Sequence, residues 1–181
     1  MSPLDTLTAR AAADIKAATA ALLNGGSATA WRTAMEKALT VAHTSAYIVG
    51  TAERSAGGKV RAWLTKLVGL RALSKDDQKA LKVAVSAQLD YLAGFVSAQG
   101  GLSDAQTAAR AALYSGAVRG TYYGARFPGL PAYPGDGSTP CRTNCKCSVE
   151  ERADGFYWIL HPAEHCGECQ QRAAQWAPYK G

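Results

Sequence analysis

The sequence predicts a mainly α-helical protein that carries a small β-hairpin module near its C-terminus. Apolar residues recur at helical spacing through residues 1–127, which indicates a helical body. Prolines and glycines then fill seven of the thirteen positions in 128–140, a composition typical of a stiff linker. All five cysteines follow this linker, in residues 141–181. We therefore divide the chain into a helical body, a linker that separates the two parts, and a cysteine-rich module.

The first two helices are predicted from their apolar periodicity. Apolar and alanine residues follow a helical period over Leu4–Leu22, and the Asn-Gly-Gly sequence at 24–26 favours a left-handed stop. Ser27 can cap the second helix. The buried stripe of that helix is predicted to be Trp31, Met35, Leu39, Ala42, Ala46 and Val49. His43 lies beside this stripe, where we expect a packed or solvated histidine rather than a metal ligand.

Three more helical segments are predicted before the linker. Residues 60–73 form a short amphipathic segment that we expect to pack against the body. Ser74 and Asp77 resemble a capping box, as do Ser103 and Gln106, and each pair introduces a helix. The inward-facing residues of the first of these helices are Leu81, Val85, Leu89, Leu92 and Val96. The second carries small residues that should let another backbone come close, which would make it central; they include Gly116, Gly120 and Gly124.

The formal charge of +6 is distributed unevenly along the chain. From Cys141 onward, five basic residues balance five acidic ones, whereas 54–82 holds eight basic residues against Asp76 and Asp77. Such a stretch could contact DNA or an acidic partner, although a solvated surface is the simpler interpretation. No run of about 18 apolar residues occurs, and no basic, apolar leader begins the chain. We therefore expect neither membrane insertion nor export.

The cysteines fall into two close-spaced groups. They are Cys141, Cys145 and Cys147 in the first group and Cys166 and Cys169 in the second. Two such groups, separated here by eighteen residues, are typical of a structural zinc site because each group can aim two thiolates at one point. The sequence therefore predicts one structural zinc ion in this module.

The spacer between the two groups has the composition of a β-hairpin, which would complete a zinc-ribbon-like unit. We predict strands over Val149–Arg152 and Phe156–Leu160, joined by a type I′ turn at Asp154-Gly155. A short helix over Gln170–Trp176 should then lay Trp176 over the hairpin. Four aromatic residues either contact partners or form a small core for the module: Tyr133, Trp158, Trp176 and Tyr179.

The sequence leaves open which residues bind the zinc ion. Four ligands suffice, so five cysteines leave one spare. The pair in the second group is the clearest chelating pair, and two cysteines of the first group would complete the site. His165 or His161 could instead replace one thiolate. A disulfide framework and a redox dithiol are the alternatives, disfavoured by the odd number of cysteines and by the lack of a thioredoxin-like βαβ setting.

The residues favour a structural role over catalysis. Catalytic zinc keeps an open coordination position beside a general base, and the module offers no clear set of that kind. The chain also lacks a Ser/His/Asp arrangement, a phosphate-binding glycine loop, an HExxH motif and a paired-carboxylate signature. We therefore predict that the protein is not an enzyme.

The second half of the chain carries a family resemblance. Its segments are Leu102–Gln106, the alanine-rich helix ending near Tyr114–Ala117, and Gly135–Cys147. They resemble tailed-phage head-morphogenesis proteins, also called minor head proteins. The Asn-Cys-Lys-Cys element at 144–147 is similar to the Asn-Cys-Arg-Cys signature near the C-terminus of that family, and the His-Cys-x-x-Cys ending at 165–169 resembles a zinc-bearing branch.

The resemblance implies a structural protein of the phage virion that is assembled in the host cytoplasm. Its implied partners are capsid or portal subunits, contacted by multiple copies in a symmetric particle. The implied role is in capsid or portal-vertex assembly, with the zinc module fixing a docking surface. The alternative function is a nucleic-acid-binding zinc-ribbon protein that uses the basic stretch 54–82.

Overall fold

The computed structural model describes residues 2–55, 73–98 and 104–180. In these ranges the helices are α1 (Pro3–Leu23), α2 (Ala28–Ser55), α3 (Lys75–Ala98), α4 (Asp104–Arg126) and α5 (Gly167–Gln175). Between α4 and α5 lie a short 3-10 turn and an antiparallel hairpin, formed by Arg142–Asn144, β1 (Ser148–Arg152) and β2 (Gly155–Ile159). The predicted fold class, a mainly helical body with a small C-terminal hairpin, is confirmed.

Some sequence-based predictions fall outside the described residues. The segment 60–73 is among them except for Leu73, which is buried. Most of the basic stretch 54–82 and the capping residue Ser103 are also outside them. None of the helices in the described ranges is both long enough and apolar enough to cross a membrane.

Local capping interactions define the starts of the first helices. The Asp5 backbone N–H donates to Ser2 Oγ at 3.1 Å, and the Asp5 carboxylate accepts from the Ser2 backbone N–H at 3.0 Å. The Ala30 N–H donates to Ser27 Oγ at 3.1 Å, so Ser27 caps α2 as predicted. All six residues of the predicted α2 stripe are buried. The helical period therefore identified the correct inward face.

Helix α4 lies at the centre of the helical body, packed against α1, α2 and α3. Its glycines admit neighbouring backbones, as the sequence predicted. A Cβ atom on Gly116 would lie 1.8 Å from the carbonyl oxygen of Thr143, and one on Gly120 would lie 2.9 Å from the backbone of Asp136. Gly124 faces only the ring of Tyr133, at 3.6 Å. The backbone admitted at Gly116 and Gly120 belongs to the segment that leads into the cysteine module.

Residues 128–140 pack onto the helical body and do not hold the module away from it. Ala132 and Pro134 are buried, and the hydroxyl of Tyr133 donates to the carbonyl of Phe127 at 2.8 Å. One apolar cluster consequently runs from α1 through α2 and α4 into the module. Its members include Leu4, Ala11, Ala46, Val118, Tyr123, Phe127, Ala132, Val149, Trp158 and Trp176. The division of the chain at 127 and 140 stays a prediction.

The hairpin turn differs from its prediction by one position. Arg152 pairs with Gly155, so the turn residues are Ala153 and Asp154 rather than Asp154 and Gly155. Among the described residues, Arg142 is the only non-glycine with a positive φ, which excludes a type I′ turn here. Gly155 has φ 144°, and a Cβ on it would lie 2.6 Å from the carbonyl oxygen of Tyr179. This glycine therefore serves a close backbone contact rather than the turn.

The aromatic residues of the module form a small core. Phe156 and Tyr179 exchange two backbone hydrogen bonds of 2.9 Å, which draws the final residues of the chain alongside β2. Trp176 packs edge-on against Trp158 at 5.5 Å and stacks on Tyr179 at 4.8 Å between ring centroids. Trp176 thus covers the hairpin as predicted. Helix α5 itself begins earlier than predicted, at Gly167, because Cys166 occupies its N-cap position.

His43 is a buried link between three helices. Its Nε2 donates to Gln88 Oε1 on α3 at 3.4 Å, and its Nδ1 accepts from the hydroxyl of Thr121 on α4 at 2.7 Å. Of the two alternatives left open by the sequence, packed or solvated, His43 is therefore packed. Burial lowers the pKa of His43 below its usual range, although the bond to Gln88 opposes this shift.

The lowered pKa of His43 predicts a loss of stability in mild acid. As pH falls below about 6.5, the imidazole of His43 is protonated in the unfolded chain but stays neutral in the folded state. The free energy of unfolding therefore falls. We expect this histidine to contribute a loss of up to about 1.4 kcal/mol between about pH 7.5 and 5.5. Urea unfolding of the wild type and His43→Gln at both pH values measures it. An equal pH dependence in the two proteins would contradict the prediction.

Candidate metal centre

The first cysteine group lies on a tight turn held against α4. The Asn144 N–H donates to the Cys141 carbonyl at 2.9 Å, and the Cys145 N–H donates to the Arg142 carbonyl at 3.3 Å. Arg142 takes a left-handed conformation with φ 47°. The turn rests where Gly116 leaves space for the Thr143 carbonyl. Because the turn reverses the chain, the sulfurs of Cys141 and Cys145 lie within 4.8 Å of each other.

The second cysteine group lies at the N-terminus of α5. Cys166 is the N-cap residue, and its carbonyl accepts from the Gln170 N–H at 3.2 Å. Cys169 follows in the first helical turn and is fully buried. The free N–H groups and the dipole of a helix N-terminus favour thiolates at these positions.

Four cysteine sulfurs are linked by contacts of 3.5 to 3.7 Å. The Sγ of Cys169 lies 3.5 Å from that of Cys141 and 3.7 Å from that of Cys145, and the Sγ of Cys166 lies 3.7 Å from that of Cys141. A tetrahedral zinc ion with Zn–S bonds of about 2.3 Å separates its sulfur ligands by about 3.8 Å. A disulfide bond would require about 2.05 Å, and all five cysteines are free thiols.

Three of these cysteines could hold a metal ion. The sulfurs of Cys141, Cys145 and Cys169 all lie within 4.8 Å of one another. Cys145 and Cys169 are buried, while Cys141 is partly exposed. The two sequence groups therefore meet at one point, which is the geometry that the cysteine spacing predicted.

The fifth cysteine points toward a histidine. The Sγ of Cys147 lies 3.4 Å from Nδ1 of His165 and is fully buried. The Nε2 of His165 donates to the carbonyl of His161 at 2.6 Å. The imidazole of His161 contacts Ser148 Oγ at 2.8 Å instead. His165 thus contacts the fifth cysteine, whereas the His161 side chain contacts Ser148.

The thiols perturb one another strongly. The pKa of Cys145 falls to about 5, chiefly because the Cys147 thiol donates to its sulfur. The same contact raises the pKa of Cys147, and burial raises the pKa values of Cys141 and Cys169. Burial acts to raise the pKa of Cys166 as well, but hydrogen bonds led by the Cys169 backbone N–H outweigh it and lower the value. A metal cation would favour the thiolate at every one of these positions.

Sequence analysis missed two residues beside the cysteines, Thr139 and Arg119, and gave a third, Trp158, only a role in partner contact or in the module core. Thr139 Oγ1 lies 3.2 Å from Cys141 Sγ, and Arg119 donates to the carbonyl of Cys147 at 3.4 Å. The bond to Cys145 raises the pKa of Cys147, and the indole N–H of Trp158 opposes that shift. The alternation of β2 could have pointed Trp158 inward. Nothing in the sequence could have identified Arg119, because its position depends on how the module docks on α4.

Comparison with protein-family models, curated proteins and solved structures finds no match to this chain. The functional argument therefore depends on the residues of the cluster and on their surroundings. Those residues establish a site that could hold a metal ion through sulfur ligands. Soft thiolate ligands select zinc, copper(I) or iron–sulfur chemistry over magnesium or calcium.

Proposed function

We propose that this protein is a structural component of a tailed-phage head, of the minor head or head-morphogenesis type, and that a structural zinc ion fixes its C-terminal module. One observation carries the proposal. The two sequence elements that carry the family resemblance, 144–147 and 165–169, meet in a single cysteine cluster. One metal ion bound by cysteines of both elements would explain why these separate segments meet.

The zinc ion is held by Cys141, Cys145, Cys166 and Cys169. The three measured separations among these sulfurs, 3.5, 3.7 and 3.7 Å, are close to the edge of a zinc–thiolate tetrahedron. Four thiolates fill the coordination sphere and leave no position for a substrate or a reactive water. The site is therefore structural, and we expect no catalysis from it.

The zinc ion acts by fastening the module to the helical body. It joins the turn docked at Gly116 to the start of α5, and the hairpin between these two elements is fixed with them. A segment this short cannot bury a large core, so the metal supplies folding free energy that the side chains lack. The result is a rigid surface next to α4, suited to contact capsid or portal subunits in many copies of a symmetric particle.

The proposed function predicts that the chain copurifies with phage particles from the host strain that encodes it. Particles banded by density and washed in about 1 M salt should retain it, because packed protein contacts survive the screening of charges. Mass spectrometry should find it at a constant ratio to the major capsid protein. Particles from a strain without the gene provide the control.

Two outcomes would contradict this function. A chain found only in the particle-free lysate would exclude a virion role. A chain removed by salt, whose DNA binding weakens steeply as salt rises, would favour the nucleic-acid-binding alternative.

A further inference from the structure

The donor atoms of the cysteine module outnumber the ligands of one zinc ion. Short contacts link four sulfurs of the module in one set and the Cys147 sulfur with Nδ1 of His165 in a separate pair, which makes six donors, and a single tetrahedral ion uses four. Such an ion leaves the Cys147 sulfur and the His165 Nδ1 only 3.4 Å apart beside it. A buried thiol facing an imidazole next to a zinc site has the composition of a second ligand pair.

We propose that the module binds two zinc ions that share the thiolates of Cys145 and Cys169 as bridges. The first ion is the one proposed above, with Cys141 and Cys166 as its terminal ligands. The second ion takes Cys147 and His165 as its terminal ligands. This inference rests on the proposed zinc site and adds a second metal ion, its ligands and the bridging role of two cysteines. Two tetrahedra that share an edge have six corners, which matches the six donors.

Four donor–donor distances agree with the edges expected for two tetrahedra that share an edge. The 3.7 Å between Cys145 and Cys169 forms the shared edge. The contacts of Cys141 with Cys169 and with Cys166, at 3.5 and 3.7 Å, belong to the first ion. The 3.4 Å between Cys147 and His165 belongs to the second ion. An edge between a sulfur and a nitrogen ligand should be about 3.6 Å, shorter than an edge between two sulfurs, because a Zn–N bond of about 2.0–2.1 Å replaces one Zn–S bond.

The two proposed bridges are buried, as is the terminal ligand Cys147. Cys145 and Cys169, which lie between the two metal positions, are 2% and 0% exposed. Cys141 and Cys166 lie at the partly exposed end of the cluster. Cys169 contacts the sulfurs of both Cys141 and Cys145, as a sulfur inside the cluster should.

The hydrogen bonds of His165 orient it as a metal ligand. Its Nε2 must donate to the His161 carbonyl, because a carbonyl oxygen only accepts. The neutral ring then carries its lone pair on Nδ1, which faces Cys147. Histidines that bind metals commonly donate their other ring N–H to a carbonyl or carboxylate in this way, which fixes the tautomer.

A buried donor next to Cys147 also points to a thiolate. The buried indole N–H of Trp158 acts to lower the pKa of Cys147, although no acceptor among the described residues lies within ordinary hydrogen-bond geometry of it. A metal-bound thiolate at Cys147 would give this N–H an acceptor of the kind that commonly surrounds such sulfurs. Charge supports the same assignment, because two divalent ions nearly neutralise five thiolates, whereas one ion with four thiolates leaves a larger buried negative charge.

Zinc counting on the full-length protein tests this inference. We expect two zinc ions per chain by elemental analysis and by native mass spectrometry, after purification without chelators. Exchange with cadmium should give two cadmium NMR signals, one from an all-sulfur site and one from a site with a nitrogen ligand. His165→Ala should reduce the count to one. His161→Ala is the matched control and should keep two, because only the backbone carbonyl of that residue holds His165.

The outcomes separate the two zinc proposals. One zinc ion per wild-type chain, with a single cadmium signal, would overturn the second site and leave the first. Two ions retained in His165→Ala would overturn the ligand assignment. No zinc in the wild type would overturn both proposals. If the His165 variant fails to fold, the wild-type count and its cadmium spectrum still decide between one ion and two.

Discussion

Replacement of Cys169 by serine is expected to release the bound metal and to lower the free energy of unfolding by at least about 4 kcal/mol. The sulfur of Cys169 lies 3.5 Å from that of Cys141 and 3.7 Å from that of Cys145. The substitution therefore removes the sulfur through which the second cysteine group contacts two cysteines of the first group. A hydroxyl is a poor zinc ligand, and here it would be fully buried. The loss should reach the helices, because the apolar cluster that includes Cys169 continues into α1, α2 and α4.

Thermal unfolding followed by far-UV circular dichroism, with zinc content measured on the same samples, checks this expectation. Gln171→Ser is the matched control, since it places the same residue type at an exposed position of the same helix. The control should change stability by no more than about 0.5 kcal/mol. An unchanged midpoint in Cys169→Ser would show that the cluster contributes nothing to folding.

Replacement of Gly116 by alanine is expected to cost about 2–3 kcal/mol and to weaken metal binding at least about tenfold. The new methyl group would lie 1.8 Å from the Thr143 carbonyl oxygen, and no side-chain rotation can relieve a contact between two backbones. The turn must therefore move away from α4. Cys141 and Cys145 flank that turn, so both would leave their positions in the cluster.

Chemical denaturation and competition with a zinc chelator measure the two effects of Gly116→Ala. Gly94→Ala on α3 is the control, because no heavy atom lies within 4 Å of its new methyl group. That change should stabilise the protein by up to about 1 kcal/mol, since alanine favours a helix more than glycine does. Equal changes in stability and metal affinity in the two variants would mean that the turn does not depend on its close contact with α4 at Gly116.

The helices could be predicted from the sequence because their signals are local. Ser27 caps α2 through a residue three positions away, and the stripe from Trp31 to Val49 follows one helical period. The hairpin turn could not be placed correctly, because Gly155 is required by the backbone of Tyr179 rather than by the turn. A glycine after aspartate is typical of a tight turn, but here the glycine is required by a tertiary contact. A two-residue motif cannot distinguish these two causes.

The metal site could be predicted in composition but not in arrangement. The spacing of Cys166 and Cys169 indicated a chelating pair, and the two groups do converge. The choice among the other ligands depends on directions set by tertiary packing, such as the one that points His165 at Cys147. The prolines of 128–140 predict a stiff linker, because proline restricts the backbone. The burial of Pro134 next to α4 depends on the close approach permitted at Gly120, which no local pattern reveals.

The shared apolar cluster has a consequence for how the chain folds. Leu4 in the first turn of α1 and Trp176 after α5 belong to that cluster, although nearly the whole described chain separates them. Helices form from neighbours in sequence, but joining such distant segments requires closing a very long loop, which slows the search for native contacts. Docking of the cysteine module against α1 should therefore be a late step in folding, because it joins the most distant segments of this cluster.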